Sequence, residues 1–129
     1  MDTNMDIFCC GCGKDVSARL TTGGEIYPHR MDLSDKKFWK CDVCRNYIGI
    51  HAKSGLPLGV IPTPELRKSR IILHRAIDPI WKSGNYTRSG IYKELSTRLG
   101  IKEFHTGEIK TLAEFKLALL KIEEIKNEL

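Results

Sequence analysis

No apolar stretch in this 129-residue chain reaches the roughly 18 residues needed to span a bilayer, which excludes a transmembrane helix. The opening Met1-Asp2-Thr3-Asn4-Met5-Asp6 has two acids and no base, so no secretory signal is expected and the cytoplasm is the expected compartment. Internal repeats and low-complexity tracts are absent, leaving one domain or a small module joined to a helical one. Disorder is excluded by composition, with 41% hydrophobic and 29% charged residues. Neither charge sign dominates: the net charge is +5. Residues 1–60 contribute eight Lys/Arg against seven Asp/Glu, and residues 61–129 thirteen against nine, so the basic excess lies in the second part. That excess is compatible with nucleic acid without requiring it.

What the chain does have is five cysteines, four of them in two short pairs. In a reducing compartment such pairs read as metal ligands rather than disulfides. Cys9-Cys10-Gly11-Cys12 and Cys41-Asp42-Val43-Cys44 each place two sulfurs on one ion, because a Cys-x-x-Cys backbone folds into a tight knuckle. The 28 residues between Cys12 and Cys41 allow a hairpin that brings the knuckles together. Cys9, Cys12, Cys41 and Cys44 are therefore the expected ligands of one structural Zn²⁺. Four thiolates and one Zn²⁺ carry a net −2, which makes the first part slightly acidic. Cys10 lies inside the first knuckle, where its side chain should point away from the metal, and no neighbouring base favours a redox role.

The predicted fold is α+β: an N-terminal zinc ribbon of short strands packed against about three helices. Residues 1–62 form the ribbon and its connector, and residues 63–129 a helical part that makes one compact unit with it. Glycines at 11, 13, 23 and 24 supply turns, and Glu25–Tyr27 and Lys37–Lys40 read as strands. Residues 51–62 read as an aperiodic connector. Thr63 and Pro64 begin a helix whose apolar face is Leu66, Leu73, Ile77 and Ile80, with Pro79 kinking or restarting it behind an Asp78 cap. Ile91, Leu95 and Leu99 define a second helix, ended by Gly100 in a left-handed cap. Thr111 and Glu114 make a capping box for a third, with Leu112, Phe115, Leu119 and Ile122 facing the core.

A dense string of residues then carries a family resemblance. Cys9-x-x-Cys12-Gly13, Ile26-Tyr27-Pro28-His29-Arg30-x-Asp32-Leu33, Lys37-Phe38-Trp39-x-Cys41-x-x-Cys44, Gly49-x-His51, Pro57-Leu58-Gly59, Glu65-Leu66-Arg67 and His74-x-x-x-Asp78-Pro79-x-Trp81 resemble a bacterial and phage family of zinc-finger-containing proteins of unknown function. The resemblance covers residues 9–81 and, more loosely, the second helix. It implies the four thiol ligands and a phage or prophage origin, and it brings no reaction. Cys10, where a residue such as proline is expected, and a C-terminal helix without cysteine depart from the pattern.

Other residues are weighed between structural and functional roles. Arg67, Lys68, Arg70 and Arg75 crowd the first helix, as a solvated face or as phosphate contacts. Leu95–Ile101 loosely resembles the first half of a helix-turn-helix, a pattern that packing alone also produces. His29 and His51 have polar company, with Arg30, Asp32, Lys37 and Lys53 as candidate neighbours in a cleft. His29, Asn46 and His51 occur in the order found in His-Asn-His nucleases of the recombination-endonuclease branch, to which this stretch is similar. Pro28 stands where those enzymes carry an acidic ligand, and the spacing from Asn46 to His51 is short. The lone His105 reads as structural. Trp39 and Trp81 read as core, Trp39 covering the thiolates, and Tyr27 and Phe38 as packed rather than base-stacking.

The favoured function is non-catalytic recognition, with nucleic acid as partner and the basic first helix as contact. One alternative is a phage protein that binds and blocks a host defence protein. The other is a metal-dependent nuclease or other hydrolase using His29 and His51, with Asp32 and Asn46 in support. No membrane role is expected.

Overall fold

The computed structural model describes residues 3–129; Met1 and Asp2, part of the start read for export signals, lie outside them. The chain divides into two compact units, Met1–Pro64 and Glu65–Leu129. The fold is α+β: four antiparallel strands in the first unit, and the long helices after them.

The ribbon is one sheet in the order β1 (Asn4–Cys9), β2 (Lys14–Thr22), β3 (Lys37–Lys40), β4 (Tyr47–Gly49). Its two faces follow from the period-two alternation of a strand. Cross-strand partners Met5 and Ala18, Ile7 and Val16, and Leu20, Trp39 and Ile48 share the inner face. There Ile7, Cys9, Ala18, Trp39, Cys41 and Ile61 form the buried cluster. Trp39 thus packs in the same cluster as two of the thiols, and its indole N–H donates to the Gly55 carbonyl at 3.0 Å. Residues 51–62 are more than a connector. Ile61 runs parallel to β1, its N–H donating to Phe8 O and its carbonyl accepting from Cys10 N, each at 2.9 Å.

Between β2 and β3 the chain makes an excursion. Glu25–Tyr27 is no strand: Gly23–Ile26 forms a single helical turn, α1, closed by Tyr27 N–H donating to Gly23 O at 2.7 Å. The reason is tertiary. A Cβ on Gly23 would lie 1.7 Å from the Leu33 carbonyl oxygen, so only glycine lets the excursion fold back on itself here. Tyr27 then packs edge-to-face on Phe38 and Tyr47 of the outer sheet face, at centroid separations of 5.9 and 5.5 Å. Its hydroxyl hydrogen-bonds that of Tyr47. This cluster pins the excursion to the sheet, with Tyr27 and Phe38 half-buried on its outer face.

The second unit contains α2 (Pro64–Lys82) from its second residue on, α3 (Arg88–Leu99) and α4 (Leu112–Asn127). Leu66, Leu73, Ile77 and Ile80 are all buried, as their spacing requires. The helix continues through Pro79 to Lys82. Pro79 removes one N–H in the last turn only, and the Asp78 carboxylate accepts the Trp81 indole N–H at 3.0 Å instead of capping a restart. Thr87 caps α3 by accepting from Gly90 N–H, and Gly100 (φ +69°) supplies the left-handed end. Thr111 caps α4 by accepting from Glu114 N–H at 3.1 Å. The return bond of this box reaches Lys110 N–H. The buried stripe of α4 is Ala118, Ile122 and Ile125, rotated from the expected one: Leu112 is exposed, and Phe115 and Leu119 are half-buried. Twelve residues, 100–111, separate α3 from α4, too many for the three- or four-residue turn of a helix-turn-helix. Among the described residues, no helix is long and apolar enough to cross a membrane.

Candidate metal centre

The two knuckles are built alike. Cys9 ends β1 and Cys41 follows β3, so hydrogen-bonded strands fix the first ligand of each pair. In each knuckle the N–H four residues on closes the turn onto the first cysteine's carbonyl: Gly13 to Cys9 at 2.8 Å, Arg45 to Cys41 at 2.7 Å. The closing residue is left-handed in both, Gly13 at φ +70° and Arg45 at φ +66°. Backbone N–H groups inside each turn point at the first sulfur, those of Gly11 and Cys12 at Cys9 and those of Val43 and Cys44 at Cys41.

The four sulfurs lie within 4.8 Å of one another. Cys9 faces Cys44 at 3.2 Å and Cys12 faces Cys41 at 3.7 Å. A disulfide requires about 2.05 Å, so these are four separate thiols. A tetrahedral zinc with bonds of about 2.3 Å sets sulfurs about 3.8 Å apart, so the cage has the size and donor chemistry of a structural zinc site. Burial and the adjacent Cys44 sulfur push the Cys9 thiol well above its ordinary range. Burial also opposes ionisation of Cys41, but the Cys44 and Val43 N–H groups and the neighbouring sulfurs outweigh it and hold that thiol lower. A divalent cation would offset the burial that opposes ionisation and take all four as thiolates. Among the described residues, no other group of three or more His, Cys, Asp or Glu side chains converges in this way.

The family model of a zinc-finger-containing domain matches residues 5–122. The chain belongs to this family of zinc-finger-containing domains. No curated protein and no solved structure matches it. This zinc-finger domain holds its ligands on two matched turns at one end of a four-stranded sheet.

Of the ribbon's other candidate residues, Asn46 lies at the opposite end of the sheet from the rest. His29 lies in the excursion that leaves the far end of β2, and His51 follows the far end of β4, both away from the thiols. Asn46 precedes β4 at the thiol end, where its carbonyl accepts from Cys41 N–H at 2.9 Å. At about 3.3 Å per extended residue, Asn46 and His51 stand about 16 Å apart, so the His-Asn-His order does not become a site. Both histidines are exposed, and neither side chain makes a hydrogen bond or ion pair among the described residues. Arg30 is held by Asp32 through two bonds, 2.9 and 2.7 Å long. Lys37 and Lys53 are exposed at the same far end.

The basic helix also changes. Arg70 leaves the phosphate-binding set: it is 7% exposed and its Nη2 donates to the Ile109 carbonyl at 2.9 Å. One turn on, His74 Nε2 hydrogen-bonds Thr106 Oγ1 at 2.8 Å. These side chains anchor the segment between α3 and α4. Lys68 and Arg75 remain exposed, Arg67 is half-buried, and Lys82 continues the same face. Lys82 stands seven residues beyond Arg75, outside the basic set expected from the sequence.

Proposed function

We propose that this zinc-finger domain is a non-catalytic recognition module whose partner is nucleic acid, contacted through the outer face of α2. One observation carries the reading: Lys68, Arg75 and Lys82 recur every seven residues on the exposed face and make no ion pair among the described residues. Arg19, Arg30, Lys40 and Arg98, by contrast, are all tied to carboxylates. Seven residues are about 10.5 Å along a helix, so the three cations form a row about 21 Å long, within reach of several phosphates of one strand. The metal's part is to hold the ribbon together, with no chemistry on a substrate. Such a module acts in the cytoplasm of a bacterial host, in keeping with the phage or prophage origin that its motifs imply.

The test is binding to duplex and single-stranded DNA and to RNA across a salt series. Reversing Lys68 and Arg75 to Glu leaves helix content unchanged and removes binding. Lesser substitutions lower the log affinity against log salt slope by about 0.9 per lost contact on duplex and about 0.7 on single strands. Unaltered binding in the double variant, or no affinity of the parent at low salt, overturns the reading. A protein partner is the second reading, favoured by Ile71 and Ile72, each 46% exposed on the same face. It predicts binding that survives salt and is lost on Ile71→Ser with Ile72→Ser.

A further inference from the structure

The outer face of the ribbon carries an ion-pair network that neither the metal ligands nor the α2 reading uses. Asn4, Arg19, Lys40 and Tyr47 stand side by side in one row across all four strands. From that row the Arg19 guanidinium grips two carboxylates. Its Nε and Nη2 donate to Asp42 at 2.8 and 2.9 Å, and its Nη1 and Nη2 donate to Glu25 at 3.0 and 2.8 Å. Lys40 reinforces the pair, at 2.6 Å from Glu25 and 3.8 Å from Asp42, and the Thr21 hydroxyl donates to Glu25.

The two carboxylates are placed where they matter. Asp42 lies inside the second knuckle, between the ligands Cys41 and Cys44, and the peptide that follows it presents the Val43 N–H to the Cys41 sulfur. Glu25 lies in α1, at the start of the excursion over residues 23–36. We propose that Arg19 is a positioning residue for the metal centre, holding the second knuckle closed through Asp42 and tying it to the 23–36 excursion through Glu25. A knuckle backbone free to turn would carry Cys41 and Cys44 out of register with Cys9 and Cys12 and so loosen their hold on a bound zinc. An Asp42 carboxylate held at both oxygens opposes the turn and keeps the Val43 N–H on the Cys41 sulfur. The planar fork of arginine makes both grips at once, and a lysine ammonium cannot. Arg19, Asp42 and Glu25 are all more than one-third exposed on their side chains, so the network adds little to global stability. Its effect falls on metal retention and on the order of the excursion.

The test uses the zinc-loaded full chain and follows zinc transfer to an excess of chromophoric chelator, with amide hydrogen exchange read over residues 23–36. Arg19→Gln is expected to keep one zinc per chain, lose it about tenfold faster, and exchange faster over 23–36. Arg19→Lys recovers only part of the retention. Arg30→Gln, which breaks the equally bidentate Arg30–Asp32 pair, leaves zinc release at the parent rate. Two further variants divide the arms should Arg19→Gln fold poorly: Asp42→Asn speeds zinc loss, and Glu25→Gln speeds exchange in 23–36 while leaving zinc release at the parent rate. Parent-like zinc release in both Arg19→Gln and Asp42→Asn overturns the proposal, as does equal acceleration by Arg30→Gln.

Discussion

The two units reach a fold by different means. The helical unit buries Leu66, Leu73, Ile77, Ile80, Ile91, Leu95, Phe104, Ile109, Ala118, Ile122 and Ile125, enough apolar surface to order three helices. The first unit's buried hydrophobic residues are Ile7, Cys9, Ala18, Trp39, Cys41, Val60 and Ile61, and two of those seven are metal ligands. A chain segment of this length with so small an apolar core does not offset its conformational entropy by burial alone. Its stability must come from the metal, whereas the helical unit's comes from packing.

The comparison breaks most visibly when zinc is removed. A strong chelator, or Cys41→Ser, is expected to unfold the ribbon and spare the helices, because metal binding in such modules is folding free energy of about 10–16 kcal/mol. Far-ultraviolet circular dichroism would then keep most of its helical signal while amide exchange protection vanishes across residues 4–62. Acid acts in the same direction, since protons compete with zinc for the thiolates. Cys10→Ser keeps full metal content.

Packing defects should show the opposite sign. Leu73→Ala or Ile122→Ala, at fully buried positions, is expected to cost about 2–5 kcal/mol in the helical unit and leave zinc stoichiometry at one. Arg70→Met is expected to cost about 1–3 kcal/mol there, because the Ile109 carbonyl loses its charged donor. Denaturant unfolding followed by helix signal, alongside zinc content, measures both. An Arg70→Met chain that is fully stable would return Arg70 to the surface.

The smallest expected effect lies inside the metal unit, between the knuckles themselves. Both need a left-handed residue after the second cysteine, and only the first has glycine there. Gly13→Ala is expected to cost about 1 kcal/mol and Arg45→Gly to stabilise by up to about 1 kcal/mol. Thermal unfolding of the zinc-loaded variants reads the difference, and equal shifts of one sign would show that the turns are not equivalent.

What could be read from the sequence was what is local. Each Cys-x-x-Cys declares a ligand pair within four residues, and the Leu66, Leu73, Ile77, Ile80 face declares itself by helical period. What could not be read was set by distant partners. Arg70 looks like its basic neighbours, and its burial depends on a carbonyl 39 residues away. Glu25–Tyr27 has the composition of a strand, but Gly23 closing on Leu33 and Arg19 capturing Glu25 turn it into a helical loop. The apolar content of α4 exceeds one face, so its leucines offered several stripes and the wrong one was the more regular. His29, Asn46 and His51 follow one another in sequence, yet β4 carries His51 to the far end of the sheet from Asn46.

Zinc-edge X-ray absorption on the purified full chain tests the central claim most directly. The account predicts one zinc per chain with four sulfur scatterers at about 2.3 Å and no nitrogen or oxygen in the coordination shell. Folded ribbon without zinc, or a shell in which histidine nitrogen replaces any of the four sulfurs, would contradict it.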